Sequence, residues 1–147
     1  MILDDFKAFP AKGVLVGIDW GARRTGVAVS DPSREFVFAR EPVDGCAPDE
    51  LLMRIAAMAH DVRAVGIVIG LPLRMDGGES ETTAVVRRFA DSLARATDLP
   101  IIFIDETLSS ATAQGEMGRV RVRDIKAKLD SNSARVILEN AIAMMAR

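Results

Sequence analysis

The sequence predicts an α/β fold built on a mixed, five-stranded sheet that helices flank. Three apolar runs separated by turn signals open the chain, and they indicate antiparallel strands. After residue 48 the apolar period becomes that of helices alternating with strands, which requires parallel crossovers. The chain of 147 residues suits one such domain. We assign residues 1–12 to an N-terminal extension and residues 13–147 to the single domain.

The three opening strands follow from local patterns. Residues 14–20 and 25–30 are apolar runs on either side of a glycine-containing turn, so they predict a hairpin. Residues 31–33 contain Asp, Pro and Ser and mark a second turn. Residues 36–39 then form a third short strand, which we expect to end before Pro42.

The rest of the chain alternates helices with buried strands and ends in helices. The predicted elements are, in order, a helix from residue 48, a strand at 65–71, a helix at 82–96, a strand at 100–104, a short helix near 109–116, a basic segment at 118–128 that begins as a mobile loop, and a last helix at 131–145. The apolar faces of the three longer helices are Leu51, Leu52, Ile55, Met58 and Ala59; Val85, Val86, Phe89 and Leu93; and Ala134, Ile137, Leu138, Ala141 and Met144.

Composition excludes several kinds of site. Cys46 is the only cysteine and His60 the only histidine. An internal disulfide, a thiolate metal cluster and a His-rich zinc site are therefore excluded within one chain, and acid chemistry must come from carboxylates. The net charge of −2 gives no global signal for nucleic acid. We expect a cytoplasmic protein, because no apolar run would span a bilayer and the N-terminus does not resemble a signal peptide.

Carboxylates stand where apolar strands end. Asp19 ends the first strand, Asp105 and Glu106 follow the last one, and Asp130 precedes the predicted last helix. Gly17 shares a strand face with Asp19, and we expect so small a neighbour to leave space for a ligand or a metal. Gathered acids repel one another unless protons or cations neutralise them, and Mg²⁺ prefers oxygen ligands. The alternative is that each acid caps a turn or a helix.

Four segments of the chain, in this order, resemble the motifs of the YqgF or RuvX-like family of the RNase H-like superfamily: GIDWGARRTGVAVSD, IGLPLRMDGGES, DETLSSATA and KLDSNSARVILENAI. The resemblance covers nearly the whole chain after residue 11. It implies an RNase H-like, three-layer fold and a metal-dependent nuclease. It also implies that the substrate is RNA and that the role is maturation of the 5′ end of pre-16S rRNA.

The resemblance also implies residue roles. Asp19, Glu106 and Asp130 match the family's three acids, which act as catalytic residues and as ligands of one or two Mg²⁺ or Mn²⁺ ions. Arg24 matches the basic residue of the opening turn. Together with Arg24, the residues that we expect to contact nucleic acid are Arg23, Arg119, Arg121, Arg123, Lys126 and Lys128. The alternative for the basic run is a solvated surface.

The chain departs from the family pattern at three places near the expected substrate. Thr107 stands where the family often has Arg, and Arg74 stands where it often has Asn. The loop after Asp76 lacks the family's common Gly-Pro. These departures concern substrate contacts rather than the acids.

Other functions stay open at this stage. One is a Holliday junction resolvase that acts on branched DNA. Another is an actin-like or sugar-kinase-like ATPase, although such proteins bind nucleotide between two domains and this chain has room for one. A third is a non-catalytic module associated with ribosomal particles or transcription. In each case we expect a monomer or a homodimer. Trp20 either packs across the hairpin or stacks on a base.

Overall fold

The computed structural model describes residues 1–44, 47–105 and 122–146, with the backbone alone from 122 to 131. Its elements are β1 (Ile2–Leu3), a 3-10 turn (Phe6–Ala8), β2 (Leu15–Asp19), β3 (Arg24–Ser30), β4 (Val37–Asp44), α1 (Pro48–Asp61), β5 (Gly66–Leu71), α2 (Glu81–Ala96), β6 (Ile101–Asp105) and α3 (Val122–Met145). In this part of the chain no helix has the length and apolarity to cross a membrane.

The sheet is mixed, as predicted. Its strand order is β1-β6-β5-β2-β3-β4. Strands β2, β3 and β4 form an antiparallel meander, in which Ile18 pairs with Val27. Strands β2, β5 and β6 are parallel, because α1 and α2 carry the chain back between them. The three antiparallel opening strands are therefore confirmed.

The sheet has six strands instead of the predicted five, because the N-terminus contributes one. Ile2 of β1 pairs in parallel with Ile101 of β6. Two residues are too few to show the alternation of a strand, so no sequence pattern predicted β1. Phe9 is also buried, with 6% of its surface exposed. The assignment of residues 1–12 to a separate extension stays a prediction.

Strand β4 continues through Pro42 to Asp44, beyond its predicted end. It is one of the two edge strands of the described sheet, where a residue without an N–H group is tolerated because one side of the strand has no partner. The pairing with β3 is also irregular between Thr25 and Val27, close to this proline. A proline therefore did not end the strand.

Helices cover both faces of the sheet, which gives three layers. One core cluster joins Ile18 and Ile69 to residues of α1 and α2. The other joins Leu15 and Val68 to residues of α3. Since successive side chains of a strand point to opposite faces, each strand contributes to both clusters. This is the three-layer arrangement that the resemblance implies.

The first two helices lie close to their predicted bounds. Helix α1 begins at Pro48, and α2 begins after Ser80, whose side chain forms a capping box with Thr83. Most of the predicted core residues of the three helices are buried. The exceptions are Met144, which is 47% exposed, and the half-buried Leu52, Met58 and Val85.

Helix α3 begins at Val122 and not at the predicted residue 131. The segment from Val122 to Met145 contains no glycine or proline, and its Lys, Arg, Ala and Leu residues favour helix. The basic segment is therefore helical from residue 122, and Asp130 lies within a helix rather than before one. The mobile loop predicted for the beginning of that segment lies outside the described residues. The predicted short helix at 109–116 lies outside the described residues.

Candidate active site

Asp19 and Asp105 lie at the edge of the sheet that is formed by the carboxyl ends of its parallel strands. The parallel strands β2, β5 and β6 end there, and Asp19 and Asp105 are the last residues of β2 and β6. The two strand ends lie at nearly the same level of the sheet. Ile18 of β2 pairs with Ile69 of β5, and Asp105 of β6 pairs with Leu71, two residues further along β5. Carboxyl ends of parallel strands are the usual place for ligands in open α/β sheets.

Asp19 lies on the face of the sheet that α3 covers. Gly17, two residues earlier on the same face, contacts α3 directly, whereas Ile18 belongs to the core beneath α1 and α2. Side chains alternate along β2, so Asp19 is directed to the α3 side. Its residue is half-buried. Trp20, the next residue, packs against the α1 and α2 core.

The expected ligand space above Gly17 is filled by α3, so that interpretation of the glycine is wrong. A Cβ atom added to Gly17 would lie 2.8 Å from Cβ of Leu138 and 2.9 Å from the backbone oxygen of Ala134. Those distances are shorter than ordinary van der Waals contact. Gly17 therefore lets α3 approach β2 closely, and the clearance serves packing.

Helix α3 runs antiparallel to β2. Arg34 connects the start of β2 to the end of α3, because its Nε donates to the backbone oxygen of Gly13 at 2.9 Å and its Nη1 lies 3.7 Å from Sδ of Met145. Ala134 lies further along β2, against Gly17. The N-terminal half of α3 therefore runs towards the edge where the candidate acids lie.

Asp105 lies on the opposite face from Asp19. Its partner in the register, Leu71, belongs to the core beneath α1 and α2, and Phe103 packs against that core. Ile104 belongs instead to the core beneath α3. The Asp105 carboxylate is exposed on the α1 and α2 side, so the sheet separates it from Asp19.

The other predicted site residues fall in two groups. Glu106, Arg119 and Arg121 lie outside the described residues. Arg123, Lys126, Lys128 and Asp130 belong to the first part of α3, where only the backbone is described. Among the described residues, no three His, Cys, Asp or Glu side chains form a group that could hold a metal ion. The side chains of Glu106 and Asp130 lie outside the described part of the chain.

The two arginines of the opening turn lie at the same edge. Gly21 makes this turn possible, since a Cβ there would collide with the backbone oxygen of Arg24. Arg23 is exposed, and Nε of Arg24 lies 3.6 Å from Oδ2 of Asp44. Exposed ion pairs of this kind contribute little to stability. Asp44 therefore does not prevent Arg24 from contacting a phosphate.

The loop that leaves β5 is fastened to α2 beside the site. Glu79 accepts two hydrogen bonds from Arg87, at 2.8 Å from Nε and 2.9 Å from Nη2. These bonds lower the pKa of Glu79, and the guanidinium also lies 5.6 Å from the centre of the Phe103 ring. At the tip, Arg74 is 3.8 Å from Asp76, and Met75 is fully exposed. The base of the loop is therefore fixed while its tip reaches into solvent.

Sequence reasoning missed a cavity on the α1 and α2 side of this edge. Its volume is about 330 Å³. The residues that line it are Trp20, Gly21, Ala22, Pro48, Leu52, Val85, Arg88, Phe89 and Ser92. The signal in the sequence is the polar pair Arg88 and Ser92, one helical turn apart beside the apolar face of α2. Because these two residues are four positions apart, they lie on the same side of α2 and give the cavity both a positive charge and a hydroxyl group.

Comparison with known proteins gives concordant results. Residues 13–144 match the model of the family described as "RuvX: Holliday junction resolvase". A relative from Maridesulfovibrio salexigens, named "Putative pre-16S rRNA nuclease", is 40% identical over 88% of this chain and 97% of its own length. A relative of the same name from Bradyrhizobium sp. strain BTAi1 is 35% identical over 99% of this chain and 91% of its own.

Solved structures agree on the fold. RuvC from Thermus thermophilus, in complex with a Holliday junction substrate, superposes with a TM-score of 0.61 at 13% identity, over 91% of this chain and 96% of that one. The fowlpox virus Holliday junction resolvase has a TM-score of 0.52 at 9% identity, over 90% and 98%. At such identities the likeness concerns the fold. The family model, which spans most of the domain, and the relatives decide membership: this chain belongs to the RuvX family.

Proposed function

We propose that this chain is a metal-dependent nuclease that hydrolyses RNA phosphodiester bonds and matures the 5′ end of pre-16S rRNA. The observation that carries the proposal is the position of Asp19, at the carboxyl end of β2 and facing α3, in a member of the RuvX family. The substrate is suggested by the relatives named for pre-16S rRNA. In this role the protein would meet RNA in ribosomal particles of the cytoplasm.

Elementary geometry supports Asp130 as a partner of Asp19. Asp19 lies two residues beyond Gly17, about 6.6 Å along a strand. Asp130 lies four residues before Ala134, about 6 Å along a helix. Since Ala134 contacts Gly17 and α3 is antiparallel to β2, the two acids belong at similar levels. Asp130 also belongs to the i, i+4 row of α3 that contains Ala134 and Leu138.

Strand alternation supports Glu106 over Asp105 as the third acid. Ile104 lies on the α3 side of β6, and Asp105 lies on the other side. A residue two positions after Ile104 would return to the α3 side if the alternation of β6 continued that far. The family motif selects the same glutamate.

The proposed ligands suit a hard divalent cation. All three are carboxylates, and the half-burial of Asp19 under α3 makes a neutralising charge necessary if further acids join it. A Mg²⁺ or Mn²⁺ ion held by Asp19, Glu106 and Asp130 would supply a water of lowered pKa and stabilise negative charge on the leaving oxygen. The carboxylates would orient the ion, and no histidine is required.

Cations around this edge would hold the RNA backbone. Arg23 and Arg24 border the site from the opening turn. The proposed basic set in and before α3 comprises Arg119, Arg121, Arg123, Lys126 and Lys128. Side chains that neutralise phosphates make binding depend steeply on salt and weakly on sequence. Binding to a pre-16S fragment should therefore weaken strongly between low and high salt.

The test compares two aspartates at the same edge. Asp19→Asn removes a charge from the α3 side, and Asp105→Asn removes one from the opposite side. We expect Asp19→Asn to abolish Mn²⁺-dependent cleavage of a pre-16S rRNA fragment and Asp105→Asn to retain it. Circular dichroism would verify that both variants are folded. Equal activity of the Asp19→Asn variant and the parent protein would refute the assignment.

The family description favours a second candidate, a resolvase that cleaves branched DNA. Incubating the protein with the RNA fragment and with a four-way DNA junction, each with and without Mn²⁺, separates the two. Junction cleavage without RNA cleavage would replace the RNA proposal by the resolvase. Cleavage of neither, with binding retained, would indicate the non-catalytic module.

A further inference from the structure

We propose that the cavity beside Trp20 receives an unstacked nucleobase of the RNA strand whose backbone lies at Asp19. We call this cavity the Trp20 pocket; its walls are Trp20, Leu52, Val85, Phe89, Arg88 and Ser92, with Gly21 and Ala22 at the opening turn and Pro48 at the start of α1. The proposal rests on the proposed function for the identity of the strand. It assigns a second binding site, on the other face of the sheet.

The volume and the walls suit a base. A volume of about 330 Å³ lies at the lower end of the range for small-molecule pockets. Trp20 is half-buried, so part of its indole packs on the core and part remains accessible. Indole rings provide flat surfaces on which every base can stack, and Leu52, Val85 and Phe89 make the surroundings apolar.

Polar groups of the pocket come from one side of α2. Arg88 is exposed, and within the part of the chain that the structure describes, it makes no ion pair. Its neighbour Arg87 is already bound to Glu79 and lies over the ring of Phe103. Arg88 therefore has a charge available for a phosphate, and the hydroxyl of Ser92 can bond to the edge of a base.

The location connects the pocket to the proposed cleavage site. Asp19 and Trp20 are consecutive, so their Cα atoms are about 3.8 Å apart while their side chains serve opposite faces. Gly21 and Ala22, which have the two smallest side chains, follow directly and line the pocket. An RNA strand that passes over this turn can keep its phosphate on the Asp19 side and turn one base to the other side.

The experiment uses the intrinsic fluorescence of the chain. Trp20 is the only tryptophan and the chain has no tyrosine, so the emission reports on this pocket alone. The full-length Asp19→Asn variant would be titrated in EDTA with a labelled 12-nucleotide single-stranded RNA, while label anisotropy measures occupancy. Two polyanions without bases serve as controls. One is the same oligonucleotide with abasic positions, and the other is inorganic polyphosphate. We expect RNA to quench Trp20 as it saturates, and the two base-free polyanions to bind without quenching.

Variants test the walls separately. Trp20→Ala should weaken RNA binding about 5- to 150-fold by anisotropy, which is the range for loss of one stacked base. In case this variant is unstable, Arg88→Gln removes only an exposed charge and should weaken binding severalfold. Its control is Arg54→Gln, which removes an exposed charge from α1 outside the pocket and should leave RNA binding and quenching unchanged.

Three results would overturn the proposal. One is equal quenching by the abasic oligonucleotide or polyphosphate at equal occupancy, since bases would then be irrelevant. Another is identical RNA affinity of the Arg88→Gln and Arg54→Gln variants. The third is quenching by AMP or UMP at the same concentrations as RNA, which would make the cavity a mononucleotide site. The titration requires no cleavage, so an inactive parent protein would refute the nuclease and leave this test intact.

Discussion

Replacement of Gly17 by alanine tests the packing that holds α3 against the strand of Asp19. The added Cβ would lie 2.8 Å from Cβ of Leu138 and 2.9 Å from the oxygen of Ala134. Ordinary contact begins at 3.4 Å, so the nearer atom must retreat by about 0.6 Å. Neither atom is the end of a flexible side chain. The helix backbone itself must therefore move away from β2.

The magnitude follows from overpacking. Forcing a methyl group into a packed core costs about 1–3 kcal/mol, and replacing a strand glycine by alanine returns about 0.5–1 kcal/mol. We expect a net loss of about 1–2 kcal/mol in the free energy of unfolding, and a melting temperature lowered by about 3–8 °C for a chain of this size. Urea melts followed by circular dichroism would measure the first quantity, and thermal melts the second.

The matched control is Gly66→Ala, another buried strand glycine. Its added Cβ would lie 2.5 Å from Cζ of Phe9, the far end of a ring that belongs to the N-terminal segment and not to α3. Both variants should lose stability, but well below their melting temperatures Gly17→Ala should lose more cleavage activity. Truncating Leu138 to alanine keeps its Cβ, so the double variant should show no rescue. An unchanged melting temperature for Gly17→Ala, or rescue by Leu138→Ala, would refute this reasoning.

Two further variants probe the periphery. Phe9→Ala should lower the free energy of unfolding by about 3 kcal/mol in urea melts, because the buried ring fills the space against Gly66; unchanged stability would contradict a structural role for this ring. Hydrogen bonds from Arg87 lower the pKa of Glu79 from its usual 4.5, so this pair contributes stability above that pH and loses it as the pH falls through the lowered pKa. Arg87→Gln should therefore reduce the acid dependence of the urea midpoint below about pH 4.5, and an identical pH profile would contradict this.

The sequence predicted the elements whose apolar period is long enough to recognise. Helices α1 and α2 and strands β2, β3, β5 and β6 lie within a few residues of their predicted bounds. Strand β1 was not predicted, because two residues show no period and because its pairing with β6 depends on tertiary structure. The start of α3 was misplaced because a run of charged residues was interpreted as a loop. Charge alone does not end a helix whose residues otherwise favour it.

The site was harder to predict, because composition does not reveal which face of a strand the last residue occupies. The pair Asp105-Glu106 illustrates the difficulty. Both acids follow the same apolar run, and only the family resemblance distinguished them in the sequence. The structure adds an independent reason, because Ile104 belongs to the core beneath α3 and Asp105 is exposed on the other face. Asp105 is therefore placed as a surface carboxylate by the face that it occupies, which its sequence neighbours do not reveal.

The same alternation gives the end of β2 two roles. Gly17 and Asp19 belong to the α3 side. The close approach of α3 that Gly17 permits determines the distance between β2 and the row of α3 residues to which Asp130 belongs. Trp20 belongs to the other side, where the start of α1 and the middle of α2 line a cavity. A shift of β2 by one residue would exchange these faces, so Asp19 would lose α3 and Trp20 would lose its pocket. The pairing of Ile18 with Val27 and Ile69 on its two neighbouring strands holds that register, and with it both proposed contacts to RNA.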